Sequence, residues 1–164
     1  MAPLIVLALG LGTAVVTDIR TRRIPNWLTG GIAGAGFGIA VGGGHVTPLQ
    51  ATLGMLIGLL LMLPGHVIGA TGAGDVKLMA AVGTVVGTGS IVRVFLYTAV
   101  AGGVLAIAVA LRRGRLARTM RDTTKLVTSP SEAKLTIEAK DRGNRFSYGP
   151  AIAAGTLISL VVHR

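Results

Sequence analysis

Apolar residues run through this chain in six stretches, at positions 3–16, 28–41, 49–68, 76–86, 91–111 and 148–162, separated by polar joints. Stretches of this kind predict membrane-spanning helices. Several fall short of the roughly 20 residues that a full crossing needs, so their ends must borrow polar neighbours or sit where the bilayer is thin. The predicted architecture is an all-α polytopic membrane bundle of about six transmembrane helices, forming a single membrane-embedded domain over residues 1–164. Pro64-Gly65 is expected to end or kink the third helix, because proline removes a helical hydrogen bond. The first stretch follows Met1-Ala2-Pro3 with no basic run ahead of it, and is expected to be a retained span rather than a cleaved signal.

Composition points the same way. Of 164 residues, 51% are apolar and only 13% charged, against roughly 25% charged in a soluble domain. Mean hydropathy is +0.72. The chain has no cysteine, which excludes disulfides and thiolate zinc sites, and His45, His66 and His163 stand apart from one another. No metal and no cofactor are expected.

The net charge of +10 raises the question of nucleic acid, but the bases are distributed as membrane topology requires. With the first joint in the cytoplasm, Arg20, Arg22, Arg23, Lys77 and the ten bases between Arg112 and Arg145 share that side, while Arg93 and Arg164 take the other. This asymmetry places the N-terminus outside. Trp27 and Tyr148 fall near the cytoplasmic interface, where aromatic anchors concentrate. The basic stretch at about 112–146 reads as a solvated cytoplasmic loop, or as one lying on anionic lipid at about 1 kcal/mol per nearby base. No aromatic residue interleaves with its bases before Phe146, and no nucleic-acid partner is expected.

Glycines recur at four-residue spacing in Gly30/Gly34/Gly38, Gly54/Gly58, Gly65/Gly69 and Gly83/Gly87. In lipid this lets helix backbones approach closely, and it predicts a compact bundle. Gly34-Ala35-Gly36-Phe37-Gly38 is no nucleotide loop, since it lies inside an apolar stretch with no strand before it.

Only six residues are acidic, and four of them (Asp122, Glu132, Glu138 and Asp141) lie in the polar segment before the last stretch. The other two are Asp18, which closes the first apolar run, and Asp75, which opens the fourth behind Gly72-Ala73-Gly74. An ionisable group beside hydrocarbon is costly and marks a functional site by default. Each also has a structural reading. Asp75 fits an N-cap, and Asp18 fits an acid at a helix end balanced by Arg20, Arg22 and Arg23. Taken together, the structural readings weaken, because both acids fall on one membrane face.

Asp18, Arg20 and Ile24-Pro25-Asn26, followed by Gly72-Ala73-Gly74-Asp75-Val76-Lys77-Leu78, resemble the prepilin peptidases, aspartic intramembrane peptidases of the Gly-x-Gly-Asp type. Tyr148-Gly149-Pro150 is similar to the family's final block, which often has proline where this chain has Ser147. The resemblance covers nearly the whole chain apart from the basic loop. It implies an inner-membrane, multi-pass enzyme that cleaves the short basic leader from pilin-like precursors at the cytoplasmic face, with Asp18 and Asp75 as the catalytic pair. Longer relatives carry a cysteine zinc site in an N-terminal insertion and also methylate the new N-terminus. This chain has neither cysteine nor such an insertion, so it looks like the short, peptidase-only form of tight-adherence (Flp) pili, with no methyltransferase activity expected.

Two carboxylates sharing a site cannot both ionise easily, which leaves one to activate water and one to donate a proton. The helix macrodipole favours charge at Asp75 and disfavours it at Asp18, predicting Asp75 as base and Asp18 as acid. Gly72 and Gly74 are expected to permit tight turns and close backbone approach. Pro25 and Asn26 are expected to shape the turn into the second helix. Lys77 is either an interfacial anchor or a charge that tunes the acids. Arg20, Arg22 and Arg23 fit topology better than catalysis. Two other classes stay open: a small cation- or proton-coupled carrier using the acids as relays, and a non-catalytic assembly subunit.

Overall fold

The computed structural model describes residues 1–112 and 148–162. Among them the regular elements are six α-helices: α1 (Ala2–Thr21), α2 (Asn26–Val41), α3 (Pro48–Val67), α4 (Ala73–Val86), α5 (Thr88–Arg112) and α6 (Gly149–Val162). The expected all-α bundle is what forms. The basic loop, with Asp122, Glu132, Glu138 and Asp141, lies outside the described residues.

Three helices are long and apolar enough to cross a membrane: α1, α3 and the Thr88–Val109 part of α5. The others have 16 (α2), 14 (α4) and 14 (α6) residues, which is about 20–24 Å at 1.5 Å per residue. The shortfall read from the apolar runs is therefore real in these three.

The first helix outruns its apolar run by one polar turn. Thr17 Oγ1 donates to Thr13 O at 2.9 Å and Thr21 Oγ1 to Thr17 O at 2.8 Å, so these hydroxyls are satisfied by their own helix. The helix stops where Arg22 turns left-handed at φ 52° and returns its N–H to Asp18 O. Pro64-Gly65 does not end α3, which continues to Val67 with Pro64 inside it. The start of α3 carries a capping box: Gln50 N–H donates to Thr47 Oγ1 at 3.2 Å, and Thr47 N–H donates to Gln50 Oε1 at 3.0 Å.

The bundle is organised around α4. Val76 and every residue from Leu78 to Val85 are buried, and α4 packs against each of the other five helices. A helix that is apolar all round belongs inside. The outer helices turn Leu9, Leu60 and Val104 outward, as lipid-facing surfaces do. At the α3–α4 contact Gly54 and Gly83 lie back to back; a Cβ on either would run into the other's carbonyl oxygen. The predicted glycine packing therefore operates here. It does not operate at Gly30, Gly34 and Gly38, where a Cβ would meet nothing within 4 Å. An open apolar groove of about 230 Å³ between α1 and α2, lined by Val6, Leu9, Gly10, Thr13, Trp27 and Gly31 among others, includes neither aspartate.

Candidate active site

The C-terminal end of α1 and the starts of α2, α4 and α6 share one end of the bundle, and both aspartates are there. Asp18 is 6% exposed, while its neighbours Arg20, Arg22 and Arg23 face outward. Its carboxylate turns into the bundle because α6 begins against it. Gly149 N–H donates to Asp18 Oδ2 at 2.8 Å in a buried hydrogen bond. Only glycine fits at that step, since a Cβ on Gly149 would lie 2.7 Å from the same oxygen.

Asp75, also 6% exposed, is the third residue of α4, and Gly72 is its N-cap. The alternative reading of Asp75 as the N-cap is thus corrected to the third position of the helix. Its Oδ2 reaches back to accept Gly72 N–H at 2.9 Å, the side-chain half of a capping box. Gly72 is extended (φ −78°, ψ 153°) and needs no left-handed turn, contrary to the tight turn expected of it. What it and Gly74 supply is room. A Cβ on Gly72 would lie 3.1 Å from Asp75 Oδ2, and one on Gly74 3.1 Å from Ile24 Cβ in the α1–α2 joint.

That joint is fixed to α4 at a second point. Pro25 is the N-cap of α2, and its carbonyl accepts Leu28 N–H at 3.1 Å. Asn26 then accepts a hydrogen bond from Lys77 Nζ at 2.9 Å, across 51 residues. Lys77 is exposed, and its ammonium ties the start of α4 to the start of α2.

Tyr148 departs from expectation. Trp27 is exposed, as an interfacial anchor should be, but Tyr148 is half-buried and packs against the core. Its ring lies over Gly102 of α5, where a Cβ would sit 2.9 Å from Cε1 and 3.0 Å from Oη. Burial, and after it the negative charge of Asp75, push the phenol above its ordinary value of 10.0. The next residue, Gly149, is the one that holds Asp18. The amino-acid sequence marks Tyr148-Gly149 only through its similarity to the family's final block, and neither residue is expected in the site on that ground.

Each carboxylate therefore accepts one glycine N–H at the start of a helix, α6 for Asp18 and α4 for Asp75. Asp18 thus faces the start of α6 as well as standing at the end of α1.

Fold and site together define a helical membrane protein with two buried carboxylates at one end of its bundle. Residues 5–107 match the type IV leader peptidase family, a range that includes both Asp18 and Asp75 and stops before α6. The chain belongs to that family and is a peptidase. No curated protein and no solved structure matches it.

Proposed function

We propose that this protein is an aspartic endopeptidase that removes the leader from prepilin-like precursors at the cytoplasmic face of the inner membrane. The observation that carries this reading is the placement of Asp18 and Asp75, both buried at one end of the bundle, where the end of α1 meets the starts of α4 and α6. Two carboxylates in one low-dielectric site favour a singly protonated pair. The ionised member takes a proton from water as the water oxygen attacks the scissile carbonyl carbon. The protonated member hydrogen-bonds to the carbonyl oxygen and then protonates the leaving nitrogen as the C–N bond breaks. Relay carboxylates of a carrier belong near the bilayer midplane, whereas these lie at helix ends.

The orientation follows from charge. Arg20, Arg22, Arg23 and Lys77 flank the aspartate end of the bundle, which supports a cytoplasmic placement of that end. The chain's own residues include no cysteine to build a thiolate zinc site, and we assign it cleavage without methyl transfer.

The test is co-expression with a pilin-like precursor, read as a mobility shift on leader removal. Asp18→Asn and Asp75→Asn are each expected to cut cleavage by at least about a hundredfold, the lower range for loss of a general acid or base. Full processing by either variant at wild-type abundance would sink the peptidase mechanism. It would leave a non-catalytic assembly role.

A further inference from the structure

His66 takes no part in the acid–base scheme, and no cluster of metal-ligating side chains includes it among the described residues. Its place is specific nonetheless. It lies in the last turn of α3, and the joint that follows runs directly into Gly72, the N-cap of α4. That joint folds back on the helix it leaves. Gly69 turns left-handed at φ 80°, and the Gly65 carbonyl then accepts both Ala70 N–H at 2.8 Å and Thr71 N–H at 3.1 Å. The Thr71 hydroxyl adds no hold, being buried without a hydrogen-bond partner among the described residues. The Thr71 carbonyl does, because His66 Nδ1 lies 3.1 Å from it. A carbonyl only accepts, so the ring carries a proton on Nδ1.

The Thr71 carbonyl and the Gly72 N–H belong to one planar peptide group. His66 grips its oxygen at 3.1 Å, and Asp75 Oδ2 accepts its N–H at 2.9 Å. With no Cβ on Gly72, rotation of that plane meets little steric resistance. Such a rotation would turn the N–H away from Asp75 and the oxygen toward its carboxylate. A bond at each edge of the plane opposes it. The bond to the oxygen also polarises the amide, which strengthens the N–H as a donor.

We propose that His66 is a positioning residue for Asp75, acting through the Thr71–Gly72 peptide group that the two side chains hold from opposite edges. Its effect on cleavage rests on the peptidase reading above. The end of α3 thereby helps to aim a carboxylate carried by α4. The ring is exposed, so water competes for it and the effect is modest.

The experiment uses the full chain in detergent, with a precursor carrying a basic leader ahead of a hydrophobic helix. H66L removes the ring donor and keeps side-chain bulk, while H66N keeps a donor where Nδ1 stands. H66L is expected to lower kcat about 2- to 10-fold, the range for one hydrogen bond between neutral groups, at unchanged KM and folded yield. H66N should restore most of that loss. Two further readouts need no substrate. Nitrogen NMR of histidine-labelled protein, with the rings neutral, should show a proton on Nδ1 of the ring whose signals vanish in H66N. Hydrogen exchange at the Gly72 amide should be faster in H66L than in wild type or H66N.

The proposal is overturned by an unprotonated Nδ1 in the neutral ring, by equal Gly72 exchange in wild type and H66L, or by wild-type kcat in H66L. An H66N defect as large as that of H66L overturns it too, as does a loss confined to KM or to folded protein. The peptidase reading fails separately. If wild type leaves the precursor uncleaved while ring and amide behave as expected, the hold on the peptide group stands and the peptidase reading falls. If Asp75→Asn abolishes cleavage and H66L leaves it untouched, only the role of His66 falls.

Discussion

The backbone N–H of Gly149 donates to the Asp18 carboxylate at 2.8 Å, joining residues 131 positions apart in a buried hydrogen bond. It makes the start of α6 part of the site, although the family match covers only residues 5–107. A carboxylate at the end of one helix is thereby stabilised by the beginning of another.

Gly149→Ala tests that relationship. The added methyl would lie 2.7 Å from Asp18 Oδ2 and 3.1 Å from Asp18 Cβ, so the helix start or the carboxylate must shift. Cleavage per inserted enzyme is expected to fall at least about tenfold, the scale of one hydrogen bond to a charged group. Unchanged turnover would mean that Asp18 does not need this contact.

The phenol of Tyr148 provides a pH marker. Its folded-state value lies above 10.0 because burial and then Asp75 favour the neutral form. A group raised on folding contributes stability that is complete below its unfolded value and is lost as pH climbs through the folded one. Unfolding in detergent should therefore show this contribution intact below pH 10 and eroding only above it. The absorbance of tyrosinate near the alkaline end should include a late-titrating component, absent in Y148F. In Asp75→Asn that component should move to lower pH, because one of its two causes is gone.

Glycine spacing can be tested by contrast. Gly83→Ala places a methyl against the Gly54 carbonyl and should destabilise the bundle by about 1–3 kcal/mol, as overpacking does. Gly34→Ala, with nothing within 4 Å, should stay within about 0.5 kcal/mol of wild type. Denaturant titration in detergent measures both. Equal effects would show that the spacing acts through helix propensity rather than through packing.

The Lys77–Asn26 hydrogen bond spans an exposed gap and should be weak. Asn26→Ala and Lys77→Met are each expected to cost about 1 kcal/mol or less, and a double-mutant cycle should return a coupling of that same order. A much larger coupling would give this contact a role in holding the site.

Much of this fold is written locally. The apolar run at 28–41 becomes α2, Asn26–Val41, and the run at 76–86 becomes α4, Ala73–Val86. The helices begin two and three residues before these runs, at Asn26-Trp27 and Ala73-Gly74-Asp75, where a polar or glycine residue interrupts the apolar pattern. The polar last turn of α1 was hidden for the same reason: Thr17 and Asp18 look like an ending, but one bonds back to its helix and the other is covered by α6. Asp18 and Asp75 were legible because acids are rare beside apolar runs. The residues around them were less so. An aromatic at the end of a stretch reads alike whether it faces lipid or bundle, and what decides for Tyr148 is a missing side chain on α5. The same limit applies to Gly30/Gly34/Gly38 and Gly54/Gly58, identical in spacing, of which only the second pair lies against another helix.

The bond between Asp18 and Gly149 also sets an order of events during biosynthesis. Asp18 leaves the ribosome 131 residues before its partner does. For that interval the first helix carries a carboxylate whose backbone donor has not yet been made, and water or lipid headgroups must solvate it. Arrival of α6 then supplies the Gly149 N–H. If the proposed function holds, a nascent chain lacks a contact of its acid pair until translation reaches residue 149, so the readiness of the site is timed by synthesis itself.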